Sequence, residues 1–552
     1  MIKRVIVGLL ILCMISGAAF FAVGGREGAL LLYVKFVMRK EHPATQEVHW
    51  QQGPDTVPAG AKPPNIIVIL ADDLGFNDIT LNGGGIANGS VPTPNINSIA
   101  REGVQFPAGY AGNATCSPSR AALMTGRYAT RFGFEFTPVP KQFMQMIGKH
   151  SAPGAIHPTI YHAENERGLL PYEDQGLPTS EITIAKLLQG NGYHTVHLGK
   201  WHLGDSPQFR PRAHGFSESL AMQHGASMYL PEDDPDVVNS KQDFDPIDRF
   251  LWASEPWSIR FNDDALFKPG AYMTDYLTDE AIKVVAANKH RPFFMYLAYN
   301  APHTPLQATR ADYDALSHIE DHTTRVYAAM IRSLDRNIGR VLQSLKDQGV
   351  DDNTLVIFTS DNGGAHYVGI EGLNKPYRGW KATYYDGGTH VPYFMRWPGK
   401  LPKGASYPEM VSHFDIFATA AAAAGATMPR DRIIDGVNLL PFVRGEAAGR
   451  PHARLFWRGG DYHAVRAGDW KLQVTQTPQR TLLYNLASDP GERNELTAHE
   501  PAKVAELQAM LAEFNRQQVK PTWPSLGEAP IALDKSLKQK WLKEDAYIYF
   551  AN

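Results

Sequence analysis

Between Asn113 and Tyr128 the chain reads NATCSPSRAALMTGRY, with Cys116 at its centre. The only other cysteine, Cys13, falls in an apolar N-terminal run, so Cys116 has no disulfide partner in the folded body. Pro118 suits a first helical turn, Ala121 to Met124 favour helix, and Gly126 suits the position just past its end. This spacing predicts a helix that starts at or just before Cys116, with free amides and the positive end of its dipole beside the thiol. Arg120 follows one turn later on the same face. A cysteine and a guanidinium at a helix N-terminus are suited to handling an anion. As a thiol, Cys116 is expected to have a lowered pKa there and to act as a nucleophile.

Four further polar clusters each follow an apolar run: Asp72-Asp73, Lys200 with His202, His303, and Asp361-Asn362. Asp72, Asp73, Asp361 and Asn362 make an all-oxygen set of hard ligands, which suits Ca²⁺ or Mg²⁺ and not Zn²⁺. Arg120, Lys200, His202, His303 and Lys381 make a cationic cup, able to neutralise an oxyanion and to offer imidazoles for proton transfer to a leaving oxygen. Each of these residues alone has a blander reading: a turn, a helix cap or a solvated side chain. Their joint placement after similar strands is what argues for a site.

The elements that position them alternate. NIIVIL, Asn65 to Leu70, is an unbroken β-branched run expected to be a strand buried on both faces. Thr179 or Ser180 is expected to cap a helix running through Leu188, before a strand from Tyr193 to Leu198. A helix around Asp275 to Asn288 leads to a strand from Pro292 to Tyr299, and a helix from about Arg325 to Gln348 leads to a strand from Leu355 to Thr359. Alternating strands and helices imply an α/β fold: a large, mostly parallel sheet sandwiched by helices, with its ligand at the carboxyl edge. Two stretches without clear periodicity, Tyr161 to Pro178 and Gly225 to Gly270, read as ordered insertions that wall the pocket. After Ala426 the pattern turns to antiparallel strands and an amphipathic helix from Pro501 to Gln517, a smaller C-terminal α+β domain with an antiparallel sheet. The division is therefore an export segment over 1–25, a linker over 26–64, a catalytic domain over 65–426, and a C-terminal domain with its tail over 427–552.

Composition narrows the class. With 43% hydrophobic and 20% charged residues, the chain buries a sizeable core, and a net charge of -3 without a basic stripe argues against a nucleic-acid partner. Lys3 and Arg4 precede an uncharged run from Val5 to Val23, long enough for a signal-peptide core or a single membrane-spanning anchor. Either places the body outside the cytoplasm, periplasmic or otherwise extracytoplasmic, free or held to the membrane.

CSPSR, followed by Met124-Thr125-Gly126-Arg127, resembles the signature of the type I, formylglycine-dependent sulfatases, arylsulfatase-like enzymes of the alkaline phosphatase superfold. NIIVILADDLGF, GKWHLG, APHTP, TSDNGG and the segment from Tyr377 to Gly399 extend the likeness across most of the chain. The resemblance implies that a formylglycine-generating enzyme oxidises Cys116, and that a small-molecule sulfate ester is hydrolysed at its S-O bond by the aldehyde hydrate. It implies that Asp72, Asp73, Asp361, Asn362 and the modified Cys116 hold a divalent cation, usually Ca²⁺, with Mg²⁺ the alternative. Arg120 would stabilise the hydrate and His202 assist its turnover. Lys200 and Lys381 would bind sulfate oxygens, and His303 would bind substrate and protonate the leaving alcohol. Asp386 stands where the family often has Glu, and His390 where it often has Arg. Phe132, Phe134, Phe136, Tyr367 and Trp380 neighbour these motifs and are candidate apolar pocket walls, with core packing the alternative reading for each, on an equal footing for Phe132 to Phe136. Two rival readings are a phosphonate or phosphate ester hydrolase of the same superfold, and a non-catalytic membrane-tethered binding protein that keeps Cys116 as a thiol.

Overall fold

The computed structural model describes residues 25–57, 62–148, 155–222 and 224–552. Cys13 and the apolar run from Val5 to Val23, on which the export reading rests, lie outside the described residues.

Five parallel strands form the centre of a ten-stranded sheet. In chain order they are β1 (Asn65–Ala71), β2 (His194–Lys200), β3 (Glu218–Met222), β4 (Phe293–Ala298) and β5 (Thr354–Ser360), arranged in space as β5-β1-β4-β2-β3. A sixth strand, β6 (Tyr393–Arg396), runs antiparallel beside β5, and short antiparallel segments at Ile259–Phe261 and Leu266–Phe267 close the other edge. Every residue of β1 is buried, and alternate side chains enter two separate cores: Ile67, Ile69 and Ala71 on one face, Ile66, Val68 and Leu70 on the other. That alternation is the two-residue period of a strand covered on both sides. Helices α1 (Cys116–Thr125), α2 (Ile184–Gly190) and α5 (Asp415–Ala424) cover the second face, and α3 (Met273–Asn288) and α4 (His322–Asp347) the first.

The expected strands and long helices are found within a few residues of their predicted ends. The cap of α2 is corrected: Thr183, not Thr179 or Ser180, accepts the amide of Lys186, because Thr179 to Ile182 form an extended turn ahead of the helix. The segment from Gly225 to Gly270 is an ordered insertion, as expected, and contains regular elements that its sequence does not mark by a clear period. It holds a strand at Val237–Ser240 and a helix at Pro246–Ser254 that Asp245 caps through the amides of Ile247 and Asp248. The polar stretch before β1 lies on the body: Trp50 is buried and donates its indole N-H to Glu280 at 2.8 Å.

Beyond residue 426, four consecutive antiparallel strands, β7 (Arg454–Gly459), β8 (Tyr462–Ala467), β9 (Trp470–Gln476) and β10 (Gln479–Asn485), form a second sheet. Helix α6 (Pro501–Arg516) packs Leu507, Leu511 and Phe514 against it. The tail returns as two strands, Gly527–Ala532 and Tyr547–Ala551, which pair with each other, the first also pairing with Ile160–Tyr161.

Candidate active site

The register of the central strands assembles the site. Ala71 of β1 pairs with Ser360 of β5, so Asp72-Asp73 and Asp361-Asn362 leave the carboxyl edge side by side. The Asp73 amide donates to Asp361 Oδ1 at 3.1 Å, and Asn362 Nδ2 donates to Asp73 Oδ1 at 2.7 Å. Asp73 itself holds φ near 60°, a left-handed conformation that a non-glycine residue adopts at a cost, and Asp361 and Asn362 hold it there.

Cys116 is the first residue of α1, entered from extended Thr115. The helix ends at Gly126 with φ 67°, where a Cβ would also lie 2.7 Å from Phe417, so both backbone and packing demand glycine. The Cys116 thiol is buried, with Sγ 3.6 Å from Asp72 Oδ1 and 3.7 Å from Asp73 Oδ1. The expected lowering of its pKa is overturned. Burial, then the charge of Asp361, pushes the thiol up, outweighing the nearby lysines.

Arg120 is fully buried and reaches not the thiol but Asp361, donating Nε to Oδ2 at 2.9 Å, while Nη1 donates to the carbonyl of Lys200 at 2.8 Å. Lys200, at the end of β2 and equally buried, donates to both Asp72 oxygens at 2.9 and 2.6 Å. Lys381 comes from a loop after β5 and is slightly exposed; its Nζ pairs with Asp73 at 2.8 Å and donates to Tyr367 Oη at 2.9 Å. His303 presents Nε2 3.7 Å from Asp73 Oδ2 and 3.4 Å from Lys381 Nζ, and Nδ1 lies 2.6 Å from the Thr304 carbonyl. Burial, assisted by Lys200 and Lys381, holds its imidazole down to about 3 despite Asp73. His202, with φ 60°, is also held low by burial and then by Lys200 and Arg120, and its Nδ1 has no partner. All ten predicted site residues therefore gather at one sheet edge, although His202 makes no side-chain hydrogen bond to the others among the described contacts.

The donor set fits a hard cation. Oxygens of Asp72 and Asp73, Sγ of Cys116 and a ring nitrogen of His303 all lie within 4.8 Å of one another. Asn362 Oδ1 is buried with no hydrogen-bond partner among the described residues, an unsatisfied acceptor beside them. Asp361 stands at the rim of this set, its Oδ2 committed to Arg120.

The aromatic assignments divide. Phe134 and Phe136 are core residues behind α1, Phe134 packing edge-on against Trp523, and do not wall the pocket. Trp380 is also buried in a core, and Phe132 packs against one with the Arg127 guanidinium over its ring. Tyr367 does belong to the site, as a polar group: its hydroxyl donates to Asp73 Oδ2 at 2.6 Å. Tyr229, unremarked in the sequence because it lies in an insertion far from any motif, donates its hydroxyl to the carbonyls of Asn300 and His303 at 2.7 and 2.9 Å and so braces the His303 turn.

Residues 64–426 match the family model described as Sulfatase, and residues 378–520 match that described as N-sulphoglucosamine sulphohydrolase, C-terminal. The chain is 33% identical over 481 residues to N-acetylgalactosamine-6-sulfatase of Mus musculus, covering 80% of this chain and 84% of that one. It is 30% identical to the uncharacterized sulfatase YdeN of Escherichia coli (strain K12), covering 82% and 85%. Among solved structures it is similar to Ps i-CgsB in complex with k-i-k-neocarrahexaose, with TM-score 0.69 and 32% identity over 84% of this chain and 95% of that one.

Proposed function

The chain belongs to the sulfatase family and is a sulfuric ester hydrolase, and on that premise we propose that it acts on sulfated carbohydrates outside the cytoplasm, with residue 116 as formylglycine beside a divalent cation. The carbohydrate reading draws on the relatives: one is named for a 6-sulfated amino sugar, and another is solved with a bound neocarrahexaose. The observation that carries the chemistry is Cys116 at the head of α1, between Asp72 and Asp73, with the unpartnered Asn362 Oδ1 beside them.

Asp72, Asp73, Asn362 and residue 116 would hold the cation, with Asp361 completing the set; Ca²⁺ is the ion that an oxygen-rich set favours, ahead of Mg²⁺. Together the two groups would supply a hydroxyl nucleophile at residue 116 and a Lewis acid to keep it ionised. Charge supports this reading. Three carboxylates, Asp72, Asp73 and Asp361, pair with three fixed cations, Lys200, Lys381 and Arg120, so a divalent ion leaves a positive excess suited to an anionic sulfate. Lys381 and Lys200 then exchange a carboxylate oxygen for a sulfate oxygen. Arg120 keeps Asp361 in register with the helix head. His303, with Nδ1 held by the Thr304 carbonyl, keeps Nε2 toward the reacting centre; the ring is neutral while the site is empty, and it would protonate the leaving sugar oxygen only after the anionic ester beside it has raised its proton affinity. His202 assists regeneration of the aldehyde. The S-O bond breaks and the sugar C-O bond is spared.

Turnover of sulfated mono- and oligosaccharides, an aryl sulfate and a phosphonate monoester on one purified, modified sample tests the reading. The highest kcat/KM is expected for a sulfated sugar; preference for the phosphonate ester would refute it. Export, through Lys3-Arg4 and the run from Val5 to Val23, is tested by cell fractionation: recovery of the full-length chain in the cytoplasm would exclude it.

A further inference from the structure

Two C-terminal stretches, HAVRAGDWKLQV and TLLYNLASDPGERNEL, carry Lys471 and Glu492, which lie far in sequence from every site motif and are fully buried. Buried charges are costly unless they are paired, so their partners show what they hold. Lys471 Nζ donates to Asp386 Oδ1 at 2.6 Å and lies 3.1 Å from Glu492 Oε1. Glu492 Oε2 accepts the backbone amide of Asp386 at 2.6 Å, and its Oε1 accepts Gln473 Nε2 at 2.9 Å. Two residues earlier, the Tyr384 amide donates to Tyr462 Oη at 2.8 Å, and between them the Tyr385 and Tyr484 hydroxyls meet at 3.1 Å. Three consecutive residues of one catalytic-domain loop are thus fastened to β8, β9, β10 and the turn that follows.

That loop is the one that carries Lys381. Thr383 closes a tight turn back on Trp380 through its amide at 3.0 Å and its hydroxyl at 2.8 Å, so Lys381 is joined to Tyr384 by a short, stiff link. On the other side the Lys381 amide donates to the Gly364 carbonyl at 3.1 Å, and the Ala382 amide to Ala114, two residues before Cys116, at 2.8 Å. Ala382 holds φ 67°, a conformation that the surrounding contacts must impose. Neither Lys471 nor Glu492 touches the reacting centre; each acts on the backbone that aims Lys381 at it.

We propose that Lys471, Glu492 and Tyr462 are positioning residues for Lys381: the C-terminal sheet sets the sulfate-binding lysine by gripping Tyr384 to Asp386. This rests on the reading that Lys381 binds sulfate. The departure at position 386 fits it, since the short Asp386 side chain reaches a lysine supplied by β9.

The test is a double-mutant cycle read by calorimetric titration of the cation-loaded protein with inorganic sulfate. Lys381→Ala is expected to weaken sulfate binding by about tenfold or more, the size of one charge-assisted contact. Lys471→Met is expected to weaken it by a similar factor, and to add little in the Lys381→Ala background, because both remove the same contact. A role confined to stability would leave sulfate affinity of the folded fraction unchanged. Where Lys471→Met does not fold, Tyr462→Phe, which deletes one oxygen from the same grip, serves in the same cycle. Wild-type affinity in that variant, or full additivity with Lys381→Ala, would overturn the proposal. If Lys381→Ala itself leaves affinity unchanged, the sulfate-binding role of Lys381 fails and takes the proposal with it. If Lys381→Ala weakens binding while the C-terminal variants do not, only the positioning role falls.

Discussion

Cys116 shows how little of a residue's chemistry its letter carries. The helix head and Arg120 suggested an activated thiol, yet a fully enclosed sulfur beside three carboxylates is a poor thiolate. That environment suits a group whose hydroxyl is ionised by a cation, which is the strongest local argument for modification. Cys116→Ala is expected to lower sulfate ester turnover by at least about a thousandfold, as loss of a covalent nucleophile does, while leaving thermal stability nearly unchanged. Intact-peptide mass spectrometry of residues 114–120 in active protein should show the aldehyde in place of the thiol; a fully alkylatable thiol in active material would refute the assignment. Asn362 gives a second test at this scale. Its unpartnered Oδ1 is expected to be a cation ligand, so Asn362→Ala should weaken Ca²⁺ binding to chelator-treated protein by about ten- to a hundredfold, read by calorimetry. Unchanged affinity would remove Asn362 from the ligand set.

At the scale of elements, the parallel strands were the most legible part of the chain, because a strand buried on both faces must be written in apolar residues and a carboxyl-edge site must follow it directly. Asp72, Lys200, His303 and Asp361 could be placed for that reason. Lys381 and Tyr367 come from a long loop with no periodicity: the first counts among the basic candidates without a strand end to place it, and the second reads as an apolar wall. The insertions read as ordered, but their individual elements could not be placed because they are short. The loop leaving β1 carries its own test. Asp78 is buried, accepts the Gly75 amide and the Tyr327 hydroxyl of α4 at 2.7 Å each, and pairs with no cation among the described residues. Burial raises its carboxyl to about 7 from the ordinary carboxylate range. A carboxyl with a raised folded-state pKa favours the native state when protonated. Its contribution is therefore full below about pH 4 and is lost as pH rises through about 7. The parent protein is expected to lose melting temperature between pH 6 and pH 8, and Asp78→Asn to flatten that fall. A variant whose melting temperature falls as steeply as the parent's across that window would place the titrating group elsewhere.

For the whole molecule, the division at residue 426 is a boundary in sequence pattern more than in packing. One core runs continuously from α3 and α4 through Tyr384 and Tyr385 to Leu455, Leu472, Leu483 and Phe514, and the tail pairs back onto Ile160–Tyr161. The sequence showed the antiparallel strands through their alternation, but not where they dock, because the docking surface is made of tyrosines and paired charges that read as ordinary polar positions. The family models overlap in the same way: the second begins at residue 378, inside the Lys381 loop, well before the first ends. A chain ending at residue 426 would leave the Asp386 carboxylate without Lys471, held only by Tyr110 and His390 among the described residues, and would uncover the apolar faces of Tyr384 and Tyr385, a weakened charge pairing beside exposed core. Such a truncation is expected to be insoluble or to elute as aggregate on gel filtration, and supplying residues 427–552 as a separate chain in the same cell should restore part of the soluble material. A truncated chain that elutes as a monomer with parent-like sulfate affinity would show instead that the catalytic sheet sets its own lysine, and the C-terminal sheet would then be a passenger.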